Sequence, residues 1–313
     1  MSAYPPRRLP VSVPPFSHET VDSYLDRLAA ANHLDPATLR DHLHEPSTPG
    51  PLPAPHRLAA VSGRPLATLR GALIELRLLP PASANWSRWH PLVRAGYRPA
   101  LVCQRCAARR GITRPIFRWV PHHLNVCLRH RRWLGLSARK VAEQLDLTRS
   151  PEVTRAARRH HNLIRRRGHA PVRFAYHDSL HITQRWAERG DFSRHRNRRL
   201  DQLCHPDRRS LPFDDPALDA ATYPDTVALT SLLSSAHWVG AAASKSSDHR
   251  RQFYKEAARR LELPECTPRG AFDPLVRWAT HDADWILNEL CKPTTPEGSP
   301  LVSDHDAKAN RSR

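Results

Sequence analysis

Two short cysteine motifs constrain the fold of this chain more than any other feature. Cys103 and Cys106 are separated by two residues, and Cys127 and His130 repeat this spacing twenty residues later. A two-residue gap lets both ligands of a pair turn onto one metal ion, and the segment between the pairs can fold back as a hairpin that brings them together. Three thiolates and one imidazole complete a tetrahedral shell. The spacing therefore predicts one structural zinc ion with no open position for water.

The remaining cysteines and nearby histidines fit this interpretation less well. His122 and His123 are the alternative imidazoles, but neither has the spacing of the second pair. The other cysteines are scattered at Cys204, Cys266 and Cys291. The N-terminus has no apolar run or cleavage site of a signal peptide. We therefore expect a metal site with free thiols, not a disulfide framework. We also expect the protein to be cytoplasmic and nucleoid-associated, with no membrane partner.

The positive charge is concentrated in one third of the chain. Residues 101–200 contain 24 Lys or Arg and 6 Asp or Glu, which gives +18 of the net charge of +19. A GC-rich genome would explain why 44 of the 49 basic residues are Arg, but not why they cluster. Such a field attracts phosphate backbones or acidic proteins. The distribution predicts DNA or a nucleoprotein as a partner.

A strongly basic helix is predicted within this region. Ser150-Pro151-Glu152 is typical of a helix start, and Gly168 is a suitable stop after Arg167. At helical spacing the apolar residues share one face, whereas five arginines share the other. A second arginine cluster follows a helix that ends near Gly190. The residues predicted to contact phosphates are Arg155, Arg158, Arg159, Arg165, Arg166, Arg194, Arg196, Arg198 and Arg199. The alternative is a solvated face.

The N-terminal part is expected to be helical. A helix over residues 20–31 is followed by a second helix that starts at Asp35-Pro36. In the next helical pair, Ala59, Gly63 and Leu69 have the spacing of a helix-turn-helix, in which the glycine makes the turn and the leucine packs the second helix. This pair could read bases, or serve as a scaffold or protein contact.

These patterns predict a mainly α protein with three parts. We expect a helix-turn-helix-like N-terminal domain, a small zinc-ribbon module built on a β-hairpin, and an Arg-rich helical C-terminal domain. The aromatic residues Trp86, Trp89 and Tyr97 lead into the ribbon, and residues 115–121 form a strand. The predicted boundaries are 1–82 with a proline-rich linker at 45–55, 83–140 for the ribbon, 141–291 for the basic helices and 292–313 for a disordered tail.

Signatures of catalysis are missing from the sequence. It contains neither a glycine-rich phosphate loop nor a dinucleotide fingerprint. Asp214, Asp215 and Asp219 could suggest metal-binding carboxylates, but the surrounding prolines favour a capped turn. We therefore predict that the protein is not an enzyme.

With these residues in view, the chain resembles the TniQ family of transposition proteins. The segment from Pro14 to Leu28 is similar to the family's opening segment, and the two ligand pairs with an aromatic-rich strand between them are similar to its zinc motif. Four details differ from the family pattern. His18 stands where glycine often precedes the glutamate, Tyr24 where tryptophan is frequent, Gln104 where proline is common, and Leu128-Arg129 where Pro-Glu is common. All four ligands are retained.

The resemblance implies a non-catalytic adaptor. Such a protein recognises target DNA or a targeting complex and recruits an ATPase and a transposase, which carries out the chemistry. Two other functions remain open. A sequence-specific transcriptional regulator would use the helical pair at 58–73 and a symmetric site. A transposase or nuclease would need clustered carboxylates, which the sequence does not show.

Overall fold

The computed structural model describes residues 6–45, 52–77, 91–191, 193–203, 215–263, 270 and 272–291. Most of the predicted proline-rich linker, Trp86, Trp89, Cys204, Asp214, Cys266 and the predicted tail at 292–313 lie outside the described residues.

Within the described residues, the N-terminal part consists of four helices. They are α1 (Val21–Ala31), α2 (Pro36–Leu43), α3 (Pro55–Ser62) and α4 (Leu66–Ala72). The side chain of Thr20 accepts a hydrogen bond from the Ser23 N–H at the start of α1, and Asp35 accepts one from the Thr38 N–H at the start of α2. These caps satisfy N–H groups that the first helical turn leaves unpaired. The predicted helix over 20–31 and the start at Asp35-Pro36 are confirmed.

The α3–α4 pair has the predicted helix-turn-helix arrangement. Gly63 ends α3 at φ 64°, in the left-handed region that glycine adopts without steric cost. Leu69 of α4 is fully buried, together with Leu58 of α3 and residues of α1 and α2. A 3₁₀ turn over Ile74–Arg77 follows.

Two small antiparallel hairpins follow these helices. After α5 (Pro91–Arg94), β1 (Tyr97–Leu101) pairs with β2 (Phe117–Pro121), so that Tyr97 faces Pro121 and Leu101 faces Phe117. The short helix α6 (Gln104–Ala108) lies between these strands. The second hairpin pairs β3 (Val126–Cys127) with β4 (Arg132–Trp133). The strand predicted over 115–121 is confirmed in its central and C-terminal part.

Strand β2 joins the first hairpin to the N-terminal helices. The Thr20 N–H donates to the Phe117 carbonyl at 3.0 Å, and the Trp119 N–H donates to the His18 carbonyl at 2.8 Å. The Phe117 N–H donates to Ser23 Oγ at 3.0 Å. The edge of β2 is therefore covered by the chain that enters α1.

A loop with a 3₁₀ turn at Val141–Glu143 leads from the second hairpin into the C-terminal helices. The first four are α7 (Pro151–Arg167), α8 (His169–Glu188), α9 (Ser193–Leu203) and α10 (Pro216–Leu233). They are followed by α11 (Ala236–Ala243), α12 (Ser247–Arg260), α13 (Pro274–His281) and α14 (Ala283–Cys291). Helix α10 is rich in buried Ala, Thr and Leu and packs against α7, α8 and α9, so it lies at the centre of this part.

The second hairpin shares a core with these helices. Trp133 of β4 is fully buried and its ring meets that of Tyr223 on α10 edge-on, with centroids 5.3 Å apart. The mainly helical fold with small hairpins beside a cysteine cluster is confirmed. The domain boundaries stay a prediction. Because the second hairpin and the C-terminal helices share a core, contacts continue across the predicted boundary at residue 140. Among the helices of the described chain, none has the length and apolar content that crossing a bilayer requires.

Candidate metal centre and arginine surface

The first cysteine pair lies at the start of helix α6. Cys103 is the residue before the helix, and its carbonyl accepts the N–H groups of Cys106 at 2.9 Å and Ala107 at 3.0 Å. This tight turn places both thiols on one side of the backbone. Gly111, at φ 71°, then lets the chain return toward β2.

The second pair lies on the β3–β4 hairpin. Cys127 ends β3, and its thiol accepts a hydrogen bond from the His130 N–H. The chain then reverses at Arg131, which has φ 49°, and enters β4. The hairpin thus turns the His130 ring toward the first pair.

The four side chains converge on one point. Nδ1 of His130 lies 3.5 Å from the Cys103 sulfur, 3.2 Å from that of Cys106 and 3.6 Å from that of Cys127. The sulfurs of Cys106 and Cys127 are 3.7 Å apart. A tetrahedral zinc ion with ordinary bond lengths would separate sulfur from nitrogen by about 3.6 Å and two sulfurs by about 3.8 Å. The donor atoms therefore have the spacing of a metal shell and could hold one ion.

The three thiols are close enough to hydrogen-bond to one another. Hydrogen bonds from Cys106 and Cys127 hold the pKa of the Cys103 thiol far below its ordinary value. The Cys103 thiolate, which accepts the hydrogen bond from Cys106, in turn raises the pKa of the Cys106 thiol. A divalent cation is the natural partner of such a cluster, because its charge lets all three sulfurs become thiolates together.

Cys291 is exposed on α14 and takes no part in the cluster. His122 and His123, the alternative imidazoles, are also outside it and belong to a separate histidine group. The four donors are thus those that the spacing predicted.

The opening segment has a defined structure as well. Glu19 and Arg27 form a buried ion pair with oxygen and nitrogen 2.7 Å apart. Tyr24 is buried and donates from its hydroxyl to the Val13 carbonyl at 3.0 Å. Together with the two ligand pairs, this segment carries the resemblance noted in the sequence. Residues 10–134 match the TniQ family model.

The matched stretch, called the TniQ region below, includes α1 to α6, both hairpins and all four donors of the metal cluster. TniQ proteins are associated with transposition. The match ends before α7, so the arginine-rich helices lie outside it. No curated protein and no solved structure matches the chain.

Helix α7 presents the basic face that the sequence predicted. It runs from Pro151 to Arg167 and ends at Gly168, as expected. Val153, Ala156, Ala157 and Leu163 are buried, and Ile164 is half-buried. The opposite face is exposed and carries Arg155, Arg158, Arg159, Arg165 and Arg166. Among the described residues, none of these five guanidinium groups has an ion-pair partner within 4.0 Å.

The second arginine cluster divides into exposed and buried members. Arg194 and Arg198 are exposed on α9, and Arg198 lies 3.4 Å from Glu152. Arg196 is 6% exposed and donates to the Asp191 carbonyl, whereas Arg199 is 3% exposed and binds both carboxylate oxygens of Asp225. The packing of α9 against α10 therefore corrects the prediction for Arg196 and Arg199, whose charges are satisfied inside the protein. We define the arginine surface as the five exposed arginines of α7 with Arg194 and Arg198.

The acidic residues near α10 act as structural groups. The Asp215 side chain caps α10 by accepting from the Ala217 N–H at 2.7 Å, which agrees with the predicted capped turn. Asp219 lies one turn into the helix and accepts from Ser137 Oγ at 2.8 Å. Asp214 lies outside the described residues.

Proposed function

We propose that this protein is a non-catalytic, zinc-binding adaptor in DNA transposition, which recognises target DNA or a targeting complex and recruits the transposase and its ATPase. The observation that carries the proposal is the TniQ match over residues 10–134, a stretch that contains the whole metal cluster. An association with the transposition machinery follows from the family. The division of labour between adaptor and catalyst is our inference.

Zinc is the ion that best suits the cluster. Three thiolates and one imidazole are soft and borderline donors, and the near-tetrahedral spacing of the four atoms favours zinc over ions that prefer octahedral oxygen ligands. Four protein donors leave no position for a water or a substrate. The ion would therefore have a structural role, in which it joins two hairpins that are too short to form a core of their own.

The arginine surface is our proposed docking site for DNA. Its exposed guanidinium groups can bind phosphate oxygens in pairs and displace condensed counterions. The five arginines along one face of α7 all carry positive charge, which is complementary to the negative charge of a phosphate backbone. The docking proposal is independent of the zinc proposal, so an experiment can contradict one of them without contradicting the other.

Fluorescence anisotropy would test the docking proposal. The zinc-loaded protein is titrated onto random and candidate-target duplexes at about 50 and 200 mM salt, where several phosphate contacts predict at least a tenfold loss of affinity. Reversing Arg158, Arg159 and Arg166 to Glu should weaken binding and make the negative slope of log affinity against log salt shallower by roughly 3. The melting temperature should not fall.

A matched control has the same change in net charge at another place. Arg250, Arg251 and Lys255 are exposed on α12, so reversing these three to Glu tests the effect of charge alone. Equal losses in both triple variants would mean that the binding responds to total charge and not to the arginine surface. If no duplex binds at either salt concentration, the arginine surface has a protein or ribonucleoprotein partner instead of DNA. Pull-downs with neighbouring transposition proteins would then identify it.

The regulator of helix-turn-helix type remains the alternative function. Its second helix would be α4, whose seven residues include one charged side chain, the exposed Arg70. This face is less basic than the exposed face of α7, so the charge distribution favours α7 as the DNA contact. A regulator would protect one symmetric site in a footprinting experiment.

A further inference from the structure

A second group of histidines lies where the ribbon meets the C-terminal helices. His122 and His123 follow directly after β2, and His169 is the first residue of α8. One ring nitrogen from each of these three side chains lies within 4.8 Å of the others. His160 of α7 is fully buried beside them.

The local backbone explains how distant segments meet here. The His122 N–H donates to the Gly96 carbonyl at 3.2 Å, which fixes the turn after β2 beside the start of β1. Gly168, at φ 85° and ψ 163°, breaks the path between α7 and α8, so that α8 begins against this turn. The Tyr97 ring stacks on the His169 ring at 6.4 Å between centroids.

The spacing of the rings is that of imidazoles around one ion. Centroid distances are 5.6 Å for His122 and His123, 4.9 Å for His122 and His169, and 6.0 Å for His123 and His169. The His160 ring lies 5.3 Å from that of His122 and 6.0 Å from that of His123. Imidazoles bound tetrahedrally at about 2.0 Å place their centroids roughly 5 Å apart.

Unpaired nitrogen atoms are the independent observation. Among the described residues, five buried ring nitrogens of this group have no hydrogen-bond partner. They are Nδ1 and Nε2 of His122, Nδ1 of His123, Nε2 of His160 and Nε2 of His169. Leaving one buried polar atom unpaired is unfavourable, and native proteins seldom collect several in one place. A shared ligand would satisfy them together.

The group has the protonation state that metal binding requires. Burial lowers the pKa of His122 and of His160, and it lowers the pKa of His123 to about 3. The rings are therefore neutral at pH 7, with lone pairs available. His160 Nδ1 lies 3.0 Å from the Tyr223 hydroxyl, and this contact can hold the ring with Nε2 toward the group.

We propose that His122, His123 and His169, with the buried His160 ring beside them, form a second metal site for a divalent late first-row transition ion such as zinc. Imidazole donors suit this class of ion, whereas calcium and magnesium prefer oxygen. The site connects the end of β2 to the α7–α8 junction, so the ion fastens the TniQ region to the helices that carry the arginine surface. The proposal does not depend on the role in transposition.

Arg173 gives the site a specific signature. It lies on α8, and its charge lowers the pKa of His169 after the larger effect of burial, and that of His122 after burial and the neighbouring histidines. A positive charge this close to the rings also repels a bound cation. Removing it should therefore tighten metal binding.

The metal content of the unmodified protein provides the first test. After loading with Zn²⁺ and desalting against a weak chelator, we expect two zinc ions per chain by inductively coupled plasma mass spectrometry. X-ray absorption at the zinc edge should give an average number of sulfur neighbours half that of a site with three cysteines. One zinc ion per chain, with the full sulfur count, would overturn the proposal without the use of any variant.

Variants then locate the second ion. His123→Gln and His169→Gln should each bind one zinc ion and retain the thiolate-to-cobalt charge-transfer absorption of the Co²⁺-loaded cysteine site, which also reports that the ribbon is folded. His177→Gln is the matched control, because this histidine is exposed on the same helix. A loss of the second ion in the control, or its retention in both test variants, contradicts the assignment.

Arg173→Gln distinguishes a cation from an anion. We expect its competition-measured Kd for Zn²⁺ at the second site to fall by about tenfold, because a nearby positive charge has gone. If the variant binds Zn²⁺ more weakly and the unmodified protein instead binds inorganic phosphate at this position, the group is an anion site and the proposal is wrong.

Discussion

Arg27 binds Glu19 through two hydrogen bonds in the interior of the N-terminal helices. Nη2 donates to Oε2 at 2.7 Å and Nε donates to Oε1 at 2.8 Å, and the side chains are 7% and 0% exposed. The same two side chains hold the chain that precedes α1, because Glu19 accepts from the Phe16 N–H and Arg27 donates to the Pro14 carbonyl. The opening segment of the TniQ region is therefore a structural clamp.

Removing one partner of this pair should destabilise the protein strongly. In Arg27→Met the buried Glu19 carboxylate loses its counter-charge, and we expect the free energy of unfolding to fall by about 3–5 kcal/mol in urea denaturation. Arg40→Ala is the control, because Arg40 pairs with Asp26, which is 54% exposed. That loss should stay below about 1 kcal/mol. Similar losses in the two variants would contradict the clamp.

Glu75 should make the stability depend on pH. Its carboxylate is 8% exposed and accepts from the Val21 N–H. Burial raises its pKa to about 7 from an ordinary value of 4.5. Between these values the folded protein binds more protons than the unfolded chain, so stability is present below pH 4.5 and is lost as the pH rises through 7.

Glu75→Gln should remove this dependence. The amide oxygen can still accept the Val21 N–H, but nothing ionises. The variant should gain stability relative to the unmodified protein from pH 5 to pH 8, by up to about 3 kcal/mol. Urea midpoints at several pH values would measure the difference between the two proteins, which cancels the titration of other groups. If the urea midpoints of the two proteins changed with pH in the same way, Glu75 would not ionise in this range.

Loss of a thiol should unfold the ribbon. In Cys127→Ser the cluster loses one donor at the end of β3, and we expect the cysteine-bound zinc to be lost together with several kcal/mol of stability. Cys291→Ser is the control, because this thiol is exposed and does not belong to the cluster. Metal content and melting temperature would be measured for both. Unchanged zinc binding in Cys127→Ser would rule out the assigned ligands.

Short sequence motifs predicted those features of the fold that residues close together in the chain determine. The two ligand pairs, the start of α2 at Asp35-Pro36, the turn at Gly63 and the face of α7 each depend on residues close to one another in the sequence. The histidine group escaped prediction because His122 and His169 are 47 positions apart and share no spacing motif. Their meeting depends on the break at Gly168 and on how β2 docks, which only the tertiary structure provides.

The buried arginines of α9 show the same limit and give a last prediction. Arg196 and Arg199 look basic and exposed in the sequence, but they share the inward face of α9, and Asp225 on α10 lies opposite. Burial raises the pKa of Asp225, and Arg199 opposes this shift.

Arg199→Met should therefore cost about 3–5 kcal/mol of stability at pH 7, and less at pH 5, where the Asp225 carboxyl can take up a proton. DNA affinity should change little as long as the variant is folded. Arg159→Met, on the exposed face of α7, should do the reverse and lower affinity without lowering the melting temperature. If Arg199→Met weakens DNA binding while it unfolds at the same urea concentration as the unmodified protein, the division between buried and surface arginines is wrong.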